Sequence, residues 1–291
     1  MRLRNRRTSR NIIDQRRSRG IRGGGLSGGR MAGGGGLGLL AIVAVGYFLG
    51  VDLTPLLNQQ GMPMQPQTQQ TQTRELTSAE EEAGLFVSQV LATTEDVWGE
   101  IYPRAFGESY DPPALVLFSG STRSNCGAAQ AATGPFYCPA DERAYLDTAF
   151  FAYMSRELGA GGDFAAAYVI AHEVAHHIQQ ELGILEEANR VRASSSQTRS
   201  NQISVMIELQ ADCFSGVWAS QLDGLLEPGD LNEALNAAER IGDDYLQARS
   251  GRAVNPHTFT HGTSEQRQRW FTVGYETGDP NACDTFGASR L

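Results

Sequence analysis

The 291-residue sequence contains no lysine: all 24 basic residues are arginine, a usage that reflects genomic base composition rather than function. It has no internal repeat and no C-x-x-C spacing, which argues against a paired-cysteine metal site. A basic body is missing too. Ten arginines and a single acid, Asp14, fall in residues 1–30, so the remainder is near −18 in a chain whose net charge is −9. A body that acidic argues against nucleic acid as a partner, because phosphate binding depends on basic residues that release counterions.

Charge is absent altogether from Met31 to Val51, where Leu37, Leu39, Leu40, Ile42, Val43, Val45, Phe48 and Leu49 concentrate apolar character. Those 21 residues just reach the span of a bilayer-crossing helix, about 20 residues. The pattern predicts one transmembrane helix over residues 31–52. The positive-inside bias then places an Arg-rich tail, residues 1–30, in the cytoplasm and the body outside, anchored in the inner or plasma membrane. A cleaved signal peptide is the competing reading, but the basic region is long for one and no small-x-small cleavage site is evident. Residues 53–76, with Gln59, Gln60, Gln65, Pro63 and Pro66, read as a flexible linker. Residues 77–291 then form one domain, with enough apolar content (41% of the chain) for a core.

Cys126, Cys138, Cys213 and Cys283 all follow the apolar segment. An even number in a non-cytoplasmic body permits two disulfides with three possible connectivities. Cys126 with Cys138 and Cys213 with Cys283 is preferred, since the first pair flanks a short turn-rich loop.

The body reads as strands first and helices second, an α+β arrangement. Thr77 or Ser78 can cap a helix through Val87, Leu91 and Trp98. Residues 114–118, 134–138 and 144–147 are short strand candidates that suggest a small antiparallel sheet. Asp163 can cap a helix from Phe164 to Leu182, where Tyr168, Ala171, Ala175 and Ile178 keep the helical period and Gly183 supplies the stop. A loop over 189–201, a helix over 202–222, a further helix after Asp230 and a Thr263/Gln266 capping box complete the layout.

Chemistry concentrates at His172-Glu173-Val174-Ala175-His176. Two histidines four residues apart share one helix face, so both imidazoles can meet one ion. Glu173, adjacent to the first of them, can take a proton from a metal-activated water. His177 is rotated about 100° from His176 and reads as a packing or surface residue. Gln179 and Leu182 occupy the positions where H-E-x-x-H-x-x-G-x-x-H has Gly and His, which excludes that ligand set.

A catalytic zinc needs a third protein ligand. Glu208 and Asp212 also lie four apart, in an apolar setting that would make unpaired carboxylates costly. Glu208 is the preferred third ligand, with Asp212 accepting the free ring N–H of a ligating histidine. His257 and His261 are the rivals, and either could instead donate a hydrogen bond to the oxyanion of the reaction.

These features together resemble a family of bacterial neutral zinc metallopeptidases that are single-pass membrane proteins. The Arg-rich start, Gly134-Pro135-Phe136-Tyr137-Cys138-Pro139, His172-Glu173-Val174-Ala175-His176-His177, Glu208-Leu209-Gln210-Ala211-Asp212-Cys213 and the run from His261 to Arg267 carry the resemblance. It implies a zincin-like fold of the gluzincin type, with a helical bundle carrying the metal site after the small sheet. It also implies one zinc per chain on His172, His176 and Glu208, Asp212 behind them, and a peptide or protein substrate. Glu173 and His261 are the candidate catalytic residues. A catalytically idle zinc domain that binds an envelope partner is the alternative.

Overall fold

The computed structural model describes residues 1–17, 74–130 and 134–291. In chain order the elements are β1 (Ile12–Asp14), α1 (Ser78–Phe106), β2 (Ala114–Phe118), β3 (Ser121–Ser124), β4 (Gly127–Gln130), β5 (Phe136–Cys138), β6 (Arg143–Asp147), α2 (Ala149–Tyr153), α3 (Asp163–Glu181), α4 (Ile184–Ala193), α5 (Gln197–Ser220), α6 (Asp230–Arg240), α7 (Asp243–Arg249) and α8 (Ser264–Thr277). Thr77 caps α1 and Thr263 caps α8, each closing the reciprocal box with Glu80 or Gln266.

The sheet corrects the antiparallel expectation. Its order is β1-β2-β6-β5, with β1, β2 and β6 parallel and only β5 antiparallel to β6. The hairpin β3–β4 and the edge strand β5 intervene between β2 and β6, which lets β6 return in the direction of β2. The unbroken apolar run Leu115–Phe118 is buried throughout, the pattern of a parallel strand covered on both faces.

The expected membrane topology is also corrected. Among the described residues no helix is long and apolar enough to cross a membrane. Residues 31–52, expected to do so, and residues 53–73 of the expected linker lie outside the described residues. The start of the chain, expected on the opposite side of a bilayer from the body, is built into it. Ile12, Ile13 and Asp14 pair with Leu115, Val116 and Leu117, and strands of one sheet share one side of any membrane. Arg7 meets acids of the body, bonding Glu95 at 2.8 Å and Asp96 at 2.7 Å, while the buried Arg16 bonds Asp14 of its own segment at 2.6 Å and the Glu80 carbonyl of α1. Arg2, Arg7 and Arg17 are thus counter-charges for an acidic body.

Two helix boundaries differ from the sequence reading. The segment read as a loop contains α4, whose Leu185 and Ala188 are buried, and α5 starts early because Ser196 caps it. Asp163 is the first residue of α3 rather than its cap, and Glu233 of α6 accepts the Phe164 N–H at 3.0 Å in that role.

Helix α3 is buried from Phe164 to Ala175, and its long axis lies against α5, α6 and α1. Phe164 stacks on Trp218, and Trp98 packs edge-on against Phe214, so aromatic side chains fill the spaces between the layers. Helices α5 and α8 approach backbone to backbone at Gly216 and Gly274. A Cβ at either would strike the carbonyl of Phe271 or Cys213, so only glycine allows the contact.

Disulfides join Cys126 to Cys138 and Cys213 to Cys283, the pairing preferred from the sequence. The second closes a loop of 70 residues and ties α5 to the chain beyond α8. Replacing Cys213 and Cys283 by Ala should lower unfolding stability by about 2–4 kcal/mol in denaturant titrations. An unchanged midpoint would mean that helix packing alone holds that loop.

Candidate metal centre

Helix spacing builds the site. His172 and His176 rise one turn apart on α3, and Glu208 and Asp212 one turn apart on α5, which packs against it. One ligand atom each from His172, His176 and Glu208 lie within 4.8 Å of one another. Nε2 of His172 is 3.1 Å from Glu208 Oε2, and Nε2 of His176 is 3.7 Å from Glu208 Oε1. Both imidazoles therefore turn the same nitrogen toward one carboxylate.

The opposite ring nitrogens are anchored. Nδ1 of His172 meets Asp212 Oδ1 at 2.9 Å, the partner expected from the sequence. Nδ1 of His176 meets Gln179 Oε1 at 2.9 Å. Gln179 is itself held, donating to the Ile207 carbonyl at 2.8 Å and to Gln210 Oε1 at 3.0 Å. Gln210 donates in turn to the Cys283 carbonyl at 3.0 Å, so hydrogen bonds run from His176 to the second disulfide.

Asp212 is fully buried and collects three partners besides the backbone. Arg267 of α8 grips both oxygens, Nε to Oδ2 at 2.8 Å and Nη2 to Oδ1 at 2.9 Å, while the Tyr168 hydroxyl donates at 2.5 Å. Burial alone would raise the Asp212 carboxyl, but the Arg267 charge and His172 outweigh it and hold it below its usual range. Sequence reasoning gave neither Gln179 nor Arg267 a role. Gln179 was within reach, three residues after His176 on the same helix face. Arg267 had only an indirect signal: a buried aspartate requires a cation somewhere.

Electrostatics follows from burial and pairing. Burial pulls the His172 imidazole down, yet Asp212 and Glu208 outweigh it and raise it. Burial opposes Glu208 as well, and the neighbouring histidines drive it well below the carboxylate range. Burial lowers His176 and pushes Glu173 up to about 7. Glu173 Oε2 is buried with no hydrogen-bond partner among the described residues.

The remaining histidines separate clearly. His177 is buried on the other side of α3, between the Tyr137 hydroxyl at 2.9 Å and the Asp111 carbonyl at 2.6 Å, a packing role. His257 is exposed on the loop before α8, and its backbone carbonyl receives Asn201 Nδ2 at 2.8 Å. His261 turns Nδ1 toward Asp243 Oδ1 at 3.3 Å, and its charge is felt by Glu208 and Glu173. Neither His257 nor His261 joins the ligand cluster. A second carboxylate group, Asp163, Asp230 and Glu233, is neutralised differently: the Met1 amine lies 2.8 Å from Asp163 and 3.3 Å from Asp230, and Glu233 caps α3.

The model of one protein family, described as "Putative neutral zinc metallopeptidase", matches residues 1–286. The chain belongs to that family. Uncharacterized protein YpfJ of Escherichia coli is 50% identical over 292 residues, covering 99% of this chain and 100% of the relative. An uncharacterized protein of Mycobacterium tuberculosis is 43% identical over 227 residues, covering 72% of this chain and 74% of the relative. No solved structure matches the chain. The family description implies zinc and, for its members as a class, peptide or protein substrates. The residues fit zinc: two imidazoles and a carboxylate form the donor set of catalytic zinc sites, and the Glu173 carboxylate, its Oε2 unpartnered among the described residues, is close enough to feel the charges of His172 and Glu208.

Proposed function

We propose that this chain is a zinc-dependent peptidase in which His172, His176 and Glu208 hold one zinc and Glu173 is the general base. The observation that carries the reading is the convergence of those three ligand atoms near a buried Glu173 carboxylate with an oxygen left unpaired among the described residues. Zinc, when bound, supplies a Lewis acid that lowers the pKa of a water and polarises a carbonyl.

The chain's own residues do the rest. Asp212 accepts the His172 Nδ1–H and Gln179 Oε1 accepts the His176 Nδ1–H, which leaves each Nε2 lone pair for the metal. Arg267 and Tyr168 keep Asp212 ionised and fixed, so the His172 ring cannot turn. Glu173 takes the proton of the attacking water at Oε2 and returns it to the leaving amine. His261, steadied by Asp243, donates a hydrogen bond to the carbonyl oxygen as it gains negative charge.

Metal analysis tests the ligand set. The purified full chain should carry about one zinc, as expected for a single tetrahedral site. Glu208→Ala should weaken zinc retention by more than the roughly 10–100-fold typical of losing an outer hydrogen-bond partner, the range expected for Gln179→Ala. Full retention in Glu208→Ala together with loss in His257→Ala or His261→Ala would assign the third ligand elsewhere.

A further inference from the structure

We infer that a cavity beside the ligand cluster receives a large apolar side chain of the peptide and so selects which peptides the site accepts. The inference rests on the peptidase reading above and adds a substrate class to it.

The cavity measures about 380 Å³ and lies between the first turns of α5 and the loop that leads into α8. Val205 and Met206 line it from α5, Pro256 and Phe259 from the loop, and Gln202 and Thr263 add uncharged polar groups. His257 and the C-terminal Leu291 also line it, and among the described residues no Asp, Glu or Arg side chain does. A carboxylate entering there would lose water and find no Arg to pair with, a cost that apolar groups avoid. The volume falls in the range of sites that hold small ligands, about 300–1,000 Å³, which leaves room for Leu, Met or Phe.

Its place relative to the ligands follows from helix geometry. Asn201, Val205, Glu208 and Asp212 succeed one another at intervals of four, three and four, so cavity wall and third ligand share one face of α5. Val205 is three residues before Glu208, a rise of about 4.5 Å along the axis. Thr263 is two residues beyond His261. An extended peptide advances about 3.3 Å per residue, so a bond held at the cluster brings a side chain one or two residues away to the cavity mouth.

The walls are already fixed. Asn201 Nδ2 ties α5 to the His257 carbonyl at 2.8 Å. Asp243 Oδ2 accepts from the backbone N–H groups of Thr260, His261 and Gly262 at 2.7, 2.7 and 3.1 Å, and Gln247 binds Thr258 Oγ1 at 3.0 Å. A preformed apolar cavity needs no ordering of its loop when a peptide enters.

The test profiles the full-length, zinc-loaded chain against a randomised peptide library. At one position near the cut, Leu, Met or Phe should be preferred over Asp and Glu by at least about tenfold. Met206→Glu should abolish that preference or shift it toward basic residues at that position only, with Gln202→Glu as the second variant should Met206→Glu fail to fold. Cleavage without side-chain preference, or a preference that both folded variants leave unchanged, overturns the inference. A parent that holds zinc yet cleaves nothing overturns the peptidase reading instead. The cavity is then judged by calorimetry with a Leu-Phe-containing tetrapeptide against its Glu-containing counterpart. Apolar-selective binding that Met206→Glu weakens about tenfold retains the cavity, and equal or absent binding removes it.

Discussion

Glu173→Gln should fold and retain zinc like the parent while losing proteolysis by about a hundredfold or more, the usual worth of a positioned base. The amide keeps the carboxylate's shape, so the space around the buried side chain stays filled. What it cannot do is accept a proton at Oε2, the oxygen that no protein group engages among the described residues. Peptide-library turnover, zinc content and circular dichroism measured on both proteins decide the matter. Loss of zinc and fold together would give Glu173 a structural role. A parent that holds zinc but turns over nothing would favour a domain that binds without cleaving.

Arg267→Met should lower unfolding stability by about 3–5 kcal/mol, because it leaves the Asp212 carboxylate buried without its cation. The guanidinium and the carboxylate are both almost fully buried, so solvent cannot compensate for the lost partner. Arg267→Lys separates charge from geometry. It restores the positive charge but not the two-pronged grip on Oδ1 and Oδ2, and should recover only part of the stability. Zinc retention should fall alongside, since Asp212 orients His172. A denaturation midpoint unchanged in Arg267→Met would show that His172 and Tyr168 suffice to hold Asp212.

The histidine pair and Glu173 were legible because the four-residue spacing is a local fact: any helix over that segment places both rings on one face. Glu208 and Asp212 were legible one step further, through the cost of carboxylates among Ile207, Leu209, Ala211 and Phe214. The capping boxes at Thr77 and Thr263 and the Cys126–Cys138 pairing could likewise be read from neighbouring residues, and the Cys213–Cys283 pairing followed from the cysteines left over. Arg267 could not, because 55 residues and a helix–helix crossing separate it from Asp212 and no periodicity encodes that meeting. The first strand was hidden for a different reason. Ile12 and Ile13 are two apolar residues in a run of arginines, and the charge pattern suggested a membrane-flanking tail where the fold has a sheet edge. Helix α4 did carry its signal, with Ile184, Leu185, Ala188 and Val191 at helical spacing, but the serines and arginines that follow read as a loop.

That first strand sets a timing problem for synthesis. About a hundred residues separate Ile12 from its partner Leu115, and chains grow at about 5–20 residues per second, so β1 waits about 5–20 s before β2 exists to receive it. An apolar strand left unpaired for that long would invite association with other nascent chains. Arg2, Arg4, Arg6, Arg7, Arg10, Arg16 and Arg17 flank Ile12 and Ile13 closely enough to act as gatekeepers during the wait. When α1 and β2 emerge, the acids of α1 take up Arg7 and the strand can dock. Arg7 therefore serves the chain twice, first helping to keep an orphan strand in solution and then fastening its segment to α1.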